Sequence, residues 1–187
     1  NWTFYPKSID DITSMNDGQT FTVLEGDTAI VKYSYKTGYK VATLVTVSQF
    51  ANPRITSFSN YQFNADESKI IFYINRQNIY RRSFVAEYFV WDLKKQKLYT
   101  VSKKSGQRLA TLSPDGSKVA FVQNNNLYIT ELETGFETPV TTDGEVNKII
   151  NGAPDWVYEE EFEYNQAFCW SPDGQCLAWC RFDENRV

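Results

Sequence analysis

Leu112-Ser113-Pro114-Asp115-Gly116-Ser117-Lys118-Val119-Ala120-Phe121 and Trp170-Ser171-Pro172-Asp173-Gly174-Gln175-Cys176-Leu177-Ala178-Trp179 are two copies of one pattern. Each places turn residues before an apolar run. Proline is preset for the second turn position, aspartate bonds to nearby backbone, and glycine accepts a positive φ. Degraded copies stand at Phe63-Asn64-Ala65-Asp66-Glu67-Ser68-Lys69-Ile70-Ile71-Phe72 and at Met15-Asn16-Asp17-Gly18-Gln19-Thr20-Phe21. The positions equivalent to Ser113 are 15, 64, 113 and 171, separated by 49, 49 and 58 residues. One such turn is only a hairpin; four at near-constant spacing are a repeat.

Outward from each turn the pattern continues. A second strand and turn follow at Ile30 to Gly38, Val90 to Lys95 and Tyr128 to Gly135, and a short strand such as Lys97 to Val101 closes the unit. Helical periodicity is almost absent. Four short strands per ~50 residues, with an aromatic-rich face, predict a β-propeller blade. The expected fold is all-β: a partial β-propeller of about three and a half four-stranded blades. Blade 1 is expected at about 1–50, blade 2 at 51–105, blade 3 at 106–145, and an incomplete blade 4 at 165–187, its strands ending at Arg181. Because a propeller needs roughly four to eight blades to cover its edges, the chain reads as a piece of a larger one.

Composition narrows the function. The 187 residues are 42% hydrophobic and 16% aromatic, with net charge -4, enough apolar content for a real core and too acidic for nucleic acid as a main partner. No apolar run approaches the ~18 residues of a membrane-spanning helix. No secretory signal stands at Asn1, so any targeting segment is expected to be already removed or never present. The chain has no histidine, so it cannot assemble a Ser-His-Asp or Cys-His centre, and three cysteines are too few for an all-cysteine zinc site. Neither a cofactor nor a metal is expected. Cys169 and Cys176 could face each other across a hairpin; three free, partly buried thiols is the plainer expectation.

Binding residues are sought where the repeat is broken, because loops on a rigid frame carry function. The first turn-to-strand step is ten residues longer in blade 2 than in blade 3, around Asn75-Arg76-Gln77-Asn78-Ile79-Tyr80-Arg81-Arg82-Ser83. This is an overlong hairpin with three arginines, either a solvated tip or a binding arm. The other departure, within 146–164, is Gly152-Ala153-Pro154-Asp155-Trp156-Val157-Tyr158-Glu159-Glu160-Glu161-Phe162-Glu163-Tyr164. Five acids fall between Asp155 and Glu163, and no Lys or Arg occurs from Ile149 to Cys180. Pro154 and Asp155 predict a helix start and a short helical insertion near 155–164. On a helical turn consecutive glutamates lie ~100° apart, so two can converge on one cation. A solvated acidic turn is the rival reading. A calcium site is disfavoured for lack of spaced oxygens and a glycine turn. Trp156, Tyr158, Phe162 and Tyr164 are expected to anchor the segment to the blade.

Asp155-Trp156-Val157-Tyr158-Glu159-Glu160-Glu161-Phe162 resembles the Asp-Trp-Val-Tyr-Glu-Glu-Glu motif of the dipeptidyl peptidase IV family of serine peptidases. Trp170-Ser171-Pro172-Asp173-Gly174 and Leu177-Ala178 match too, as does the blade order, over nearly the whole chain and least over Asn1 to about Ser57. The resemblance implies an eight-bladed propeller joined to a C-terminal α/β-hydrolase domain, absent from this chain, that holds the catalytic Ser, Asp and His. It implies that Glu160 and Glu161 bind the free α-amine of a peptide substrate, with Glu159 structural. It places an arginine of the blade 2 hairpin, Arg81, on the carbonyl of the penultimate residue, although Tyr80 before it and Arg82 after it depart from the commonest pattern. The implied activity is release of Xaa-Pro or Xaa-Ala dipeptides from peptide N-termini. A tripeptidyl peptidase of the same family and a non-catalytic binding propeller are the alternatives. The resemblance further implies a homodimer and an extracytoplasmic location, periplasmic or secreted. Asn1-Trp2-Thr3 is a formal glycosylation sequon.

Overall fold

The computed structural model describes residues 11–186; the sequon at Asn1 lies outside them. The chain divides into two compact units, one ending at Asn60 and one starting at Tyr61. In the first, β1 (Thr13–Ser14), β2 (Thr20–Glu25), β3 (Ala29–Ser34) and β4 (Lys40–Thr46) pair in sequence order as an antiparallel sheet. Ile30, Val31 and Val45 are fully buried on it. A 3-10 turn at Val47–Phe50 follows, and Phe50 packs edge-on to Phe58 at 5.9 Å.

The second unit carries two more four-stranded meanders. One comprises β5 (Ser59–Phe63, starting two residues before the unit), β6 (Lys69–Asn78), β7 (Phe84–Asp92) and β8 (Lys97–Thr100). The other comprises β9 (Arg108–Leu112), β10 (Lys118–Gln123), β11 (Asn126–Glu131) and β12 (Phe136–Pro139). These are propeller blades, and β10 shows what holds them. Successive side chains of a strand point to opposite faces. Val119 and Phe121 join a core with Ile71, Val90 and Tyr99 of the preceding sheet. Ala120 and Val122 join Leu127, Ala153 and Phe168 on the other side. A strand buried on both faces reads as an unbroken apolar run, as Val119 to Val122 does. Full burial of a side chain such as Phe121 stabilises by roughly 1.5–3 kcal/mol.

The fourth blade is begun by β13 (Ile149–Asn151), β14 (Phe168–Trp170), β15 (Leu177–Trp179) and β16 (Arg181–Asp183), with α1 (Trp156–Phe162) between β13 and β14. Two expectations are corrected here. The strands do not end at Arg181: β15 pairs with β14, and the chain then runs on through Cys180 to pair β16 with β13. Cys180 bridges the change of partner, its N–H donating to the Ala167 carbonyl at 2.8 Å and its carbonyl accepting from Gly152 N–H at 3.1 Å. The three cysteines are free, and they are exposed rather than partly buried. Register explains the lack of a cross-link: Cys169 lies opposite Ala178, and Cys176 falls outside β15.

Candidate functional site

Beyond Ile74 the β6–β7 hairpin leaves its sheet. The ladder shifts between Ile74 and Gln77, with Asn75 at φ 55°, and resumes as Gln77 opposite Val85 and Asn78 opposite Phe84. Ser83 O closes the tip by accepting from Ile79 N–H at 2.8 Å. The three arginines part company. Arg76 stacks over Phe84, 4.4 Å from the ring centre, and its Nε donates to Asn78 at 3.0 Å. Arg82 donates from Nη2 to Glu163 Oε1 at 2.8 Å. Arg81 is exposed at the tip and makes no side-chain hydrogen bond or ion pair among the described residues.

The helix α1 is seven residues long, with Asp155 as N-cap, its carboxylate accepting from Tyr158 N–H at 2.9 Å. Glu163, left-handed at φ 55°, ends it and donates its N–H back to Tyr158 O. One side chain of the helix is buried, and it is a carboxylate: Glu159 is 2% exposed. Its Oε1 accepts from Ser83 N–H at 2.8 Å and from Arg82 N–H at 3.2 Å. The tip of an extended hairpin has backbone donors without a strand partner, and a charged acceptor satisfies two at once.

The aromatic anchor expected from the sequence holds only in part. Trp156 is 51% exposed and Phe162 68%, with Tyr158 and Tyr164 also on the surface. Tyr158 touches Phe162 and Phe182, at 5.4 and 5.2 Å between ring centres, but the inward-facing group is Glu159. Sequence reasoning assigned Glu159 a structural part without finding its partners, which lie 76 and 77 residues away.

The electrostatics follow. The hydrogen bond to Glu163 raises the Arg82 pKa against the effect of partial burial, with added attraction from Glu160 and Glu159. The same bond lowers the Glu163 pKa. Arg108, on β9, has its pKa lowered by burial, opposed by the Glu159 carboxylate and by Tyr80 and Tyr88. Its Nε and the Ser83 Oγ are buried without a hydrogen-bond partner among the described residues. Glu160 is half-buried and Glu161 exposed, directly after the buried Glu159. The hairpin carrying Arg81 and the helix carrying Glu160 and Glu161 thus meet. Among the described residues no group of three His, Cys, Asp or Glu side chains is arranged to hold a metal ion.

The profile of the family described as the dipeptidyl peptidase IV (DPP IV) N-terminal region matches residues 64–187. This chain belongs to that family. Prolyl endopeptidase FAP of Homo sapiens is 30% identical over 187 residues, covering 99% of this chain and 23% of that protein. Dipeptidyl aminopeptidase B of Saccharomyces cerevisiae is 31% identical over 195 residues, covering 100% of this chain and 24% of that protein. The crystal structure of Porphyromonas gingivalis dipeptidyl peptidase 4 superimposes with a TM-score of 0.89 at 36% identity, over 100% of this chain and 27% of that one. The chain spans about a quarter of the length of these relatives.

Proposed function

We propose that this chain is the substrate-gating part of a serine exopeptidase, and that Glu160 and Glu161 anchor the free amine of a peptide. The observation that carries the reading is the buried Glu159 carboxylate, which holds the hairpin tip against the helix and fixes the next two glutamates beside it. A peptide α-amine, with pKa ~7.7–8.0, is mostly cationic near neutral pH. Two carboxylates at a fixed place hold that end, exclude longer chains, and set the distance to the bond that is cut. Anchoring the remote end spends binding energy on orienting the reacting carbonyl. Arg81, exposed and uncommitted among the described residues, takes the carbonyl of the penultimate residue; Arg82 is occupied by Glu163. The nucleophile and its base come from a C-terminal hydrolase domain, the whole enzyme releases Xaa-Pro or Xaa-Ala dipeptides, and it works as a homodimer outside the cytoplasm. The names of the relatives, dipeptidyl peptidase 4 and dipeptidyl aminopeptidase B, support the product length.

The test uses the full-length protein on a chromogenic Xaa-Pro substrate at neutral pH. Removing one partner of a desolvated ion pair costs roughly 3–5 kcal/mol. Glu160→Ala and Glu161→Ala each lower kcat/KM at least ~100-fold while the protein stays folded. Acetylating the substrate amine abolishes cleavage, and Arg81→Ala weakens it while preserving the need for a free amine. Near-native kcat/KM in both glutamate variants, or equal cleavage of the blocked peptide, defeats the anchor.

A further inference from the structure

The hairpin grips the helix at two points. At Glu159 the grip is a carboxylate on two backbone N–H groups, and at Glu163 it is the guanidinium of Arg82. These points are four residues apart and bracket Glu160 and Glu161. One contact would leave a short helix free to turn about it; two fix both its rotation and its position along the axis. The helix needs this, since seven residues with a single buried side chain are far below the length at which a helix stands alone in water. The second grip belongs to the residue directly after Arg81, so the clamp and the carbonyl-binding arm move together.

We propose that Arg82 is a positioning residue which, through its ion pair with Glu163, sets the span from Arg81 to the Glu160–Glu161 pair and thereby the length of the peptide released. This rests on the amine-anchor reading above. An extended peptide advances ~3.3–3.6 Å per residue, so a slip of that size between arm and anchor moves the cut by one residue. The ion pair is partly open to water, with Arg82 32% and Glu163 71% exposed at the side chain, so its loss leaves no buried charge behind and the fold survives it.

Full-length wild type, Arg82→Ala, Arg82→Lys, Glu163→Gln and Glu160→Ala are compared on free-amine peptides carrying proline at the second or the third position. Products are sized by mass spectrometry, with kcat, KM and melting temperature recorded for each. Arg82→Ala and Glu163→Gln are expected to lose about 100-fold or more in kcat on the second-position substrate, since a misplacement of even ~1 Å costs on that order. They are also expected to shift the ratio of tripeptide to dipeptide product upward. Arg82→Lys, which keeps the charge, restores the wild-type ratio. If Arg82→Ala and Glu163→Gln lower only the melting temperature, with kcat and product ratio unchanged, Arg82 is merely structural and the proposal fails while the anchor stands. If Glu160→Ala leaves kcat/KM intact, the anchor falls and this proposal with it.

Discussion

Three of the four turns that define the repeat share one atomic device, and the first, with Met15 in place of the serine, keeps its aspartate half, Asp17 accepting from Gln19 N–H at 2.9 Å. In the third blade Ser113 donates its hydroxyl to Asp115 at 2.6 Å and accepts from Lys118 N–H at 2.9 Å, while Asp115 accepts from Ser117 N–H at 3.0 Å. Ser171 and Asp173 repeat the arrangement onto Cys176 and Gln175. In the second blade Asn64 stands in for the serine, its Oδ1 accepting from Lys69 N–H at 2.8 Å. The fourth turn position is left-handed throughout: Gly18, Gly116 and Gly174, but Glu67 in the second blade, at φ 56°. Gly116 is required twice over, for its φ of 67° and because a Cβ there would lie 2.7 Å from Asn64 Nδ2 in the neighbouring turn. The turn aspartates also make the fold acid-sensitive. The Ser113 hydroxyl, then the Ser117 N–H, pull the Asp115 pKa from 3.8 to about 2. Hydrogen bonds lower Asp66 and Asp173 likewise. A carboxyl depressed in the folded state contributes stability above its unfolded pKa, and that contribution is lost as pH falls through the folded value. Stability should therefore decline between about pH 4 and pH 2. Asp115→Asn should lower stability at pH 7 and flatten the decline, measured by urea unfolding across that range; an unchanged slope would show that Asp115 does not contribute.

Strands and their faces were legible in the sequence because a turn signal and a period of two are local properties. The apolar run after the Ser113 turn announced a strand, and Asp155 announced the start of α1. Contact between the hairpin and the helix was not legible. Both departures from the repeat were visible, but nothing local says that Arg82 and Ser83 meet Glu159. The aromatic run misled for a related reason: Trp156 and Phe162 look like anchors by composition, whereas the hairpin's unpaired N–H groups call for an acceptor. The change of partner between β15 and β16 was likewise hidden, since the stretch up to Arg181 reads as one strand and pairing is set by chain far upstream. If Glu159 is the pin between these two elements, Glu159→Ala leaves two N–H groups without their acceptor, at about 1–3 kcal/mol each when buried. Hydrogen exchange should then quicken at the amides of Arg82 and Ser83 and through Val157 to Phe162, while β10 keeps its protection. Equal loss of protection in β10 would mean that the carboxylate supports the blade as a whole.

In the proposed function two things are separated along this protein: where a peptide end is held and where its bond is cut. The chain places Glu160, Glu161 and the hairpin arginines in its second unit, on elements that interrupt an otherwise regular repeat. Its sequence has no histidine, so a serine or cysteine here has no imidazole to take its proton. The three cysteines are exposed and free, and the Tyr164 hydroxyl lies 3.8 Å from the Cys180 sulfur. Binding without a base gives recognition and no turnover. The purified 187-residue chain is therefore expected to hydrolyse neither a chromogenic Xaa-Pro substrate nor its acetylated form. The full-length protein should cleave the free-amine form alone. Turnover by the isolated chain, surviving a second purification step and insensitive to a serine-directed inhibitor, would mean that these blades carry chemistry of their own and that recognition and cutting are not divided as proposed.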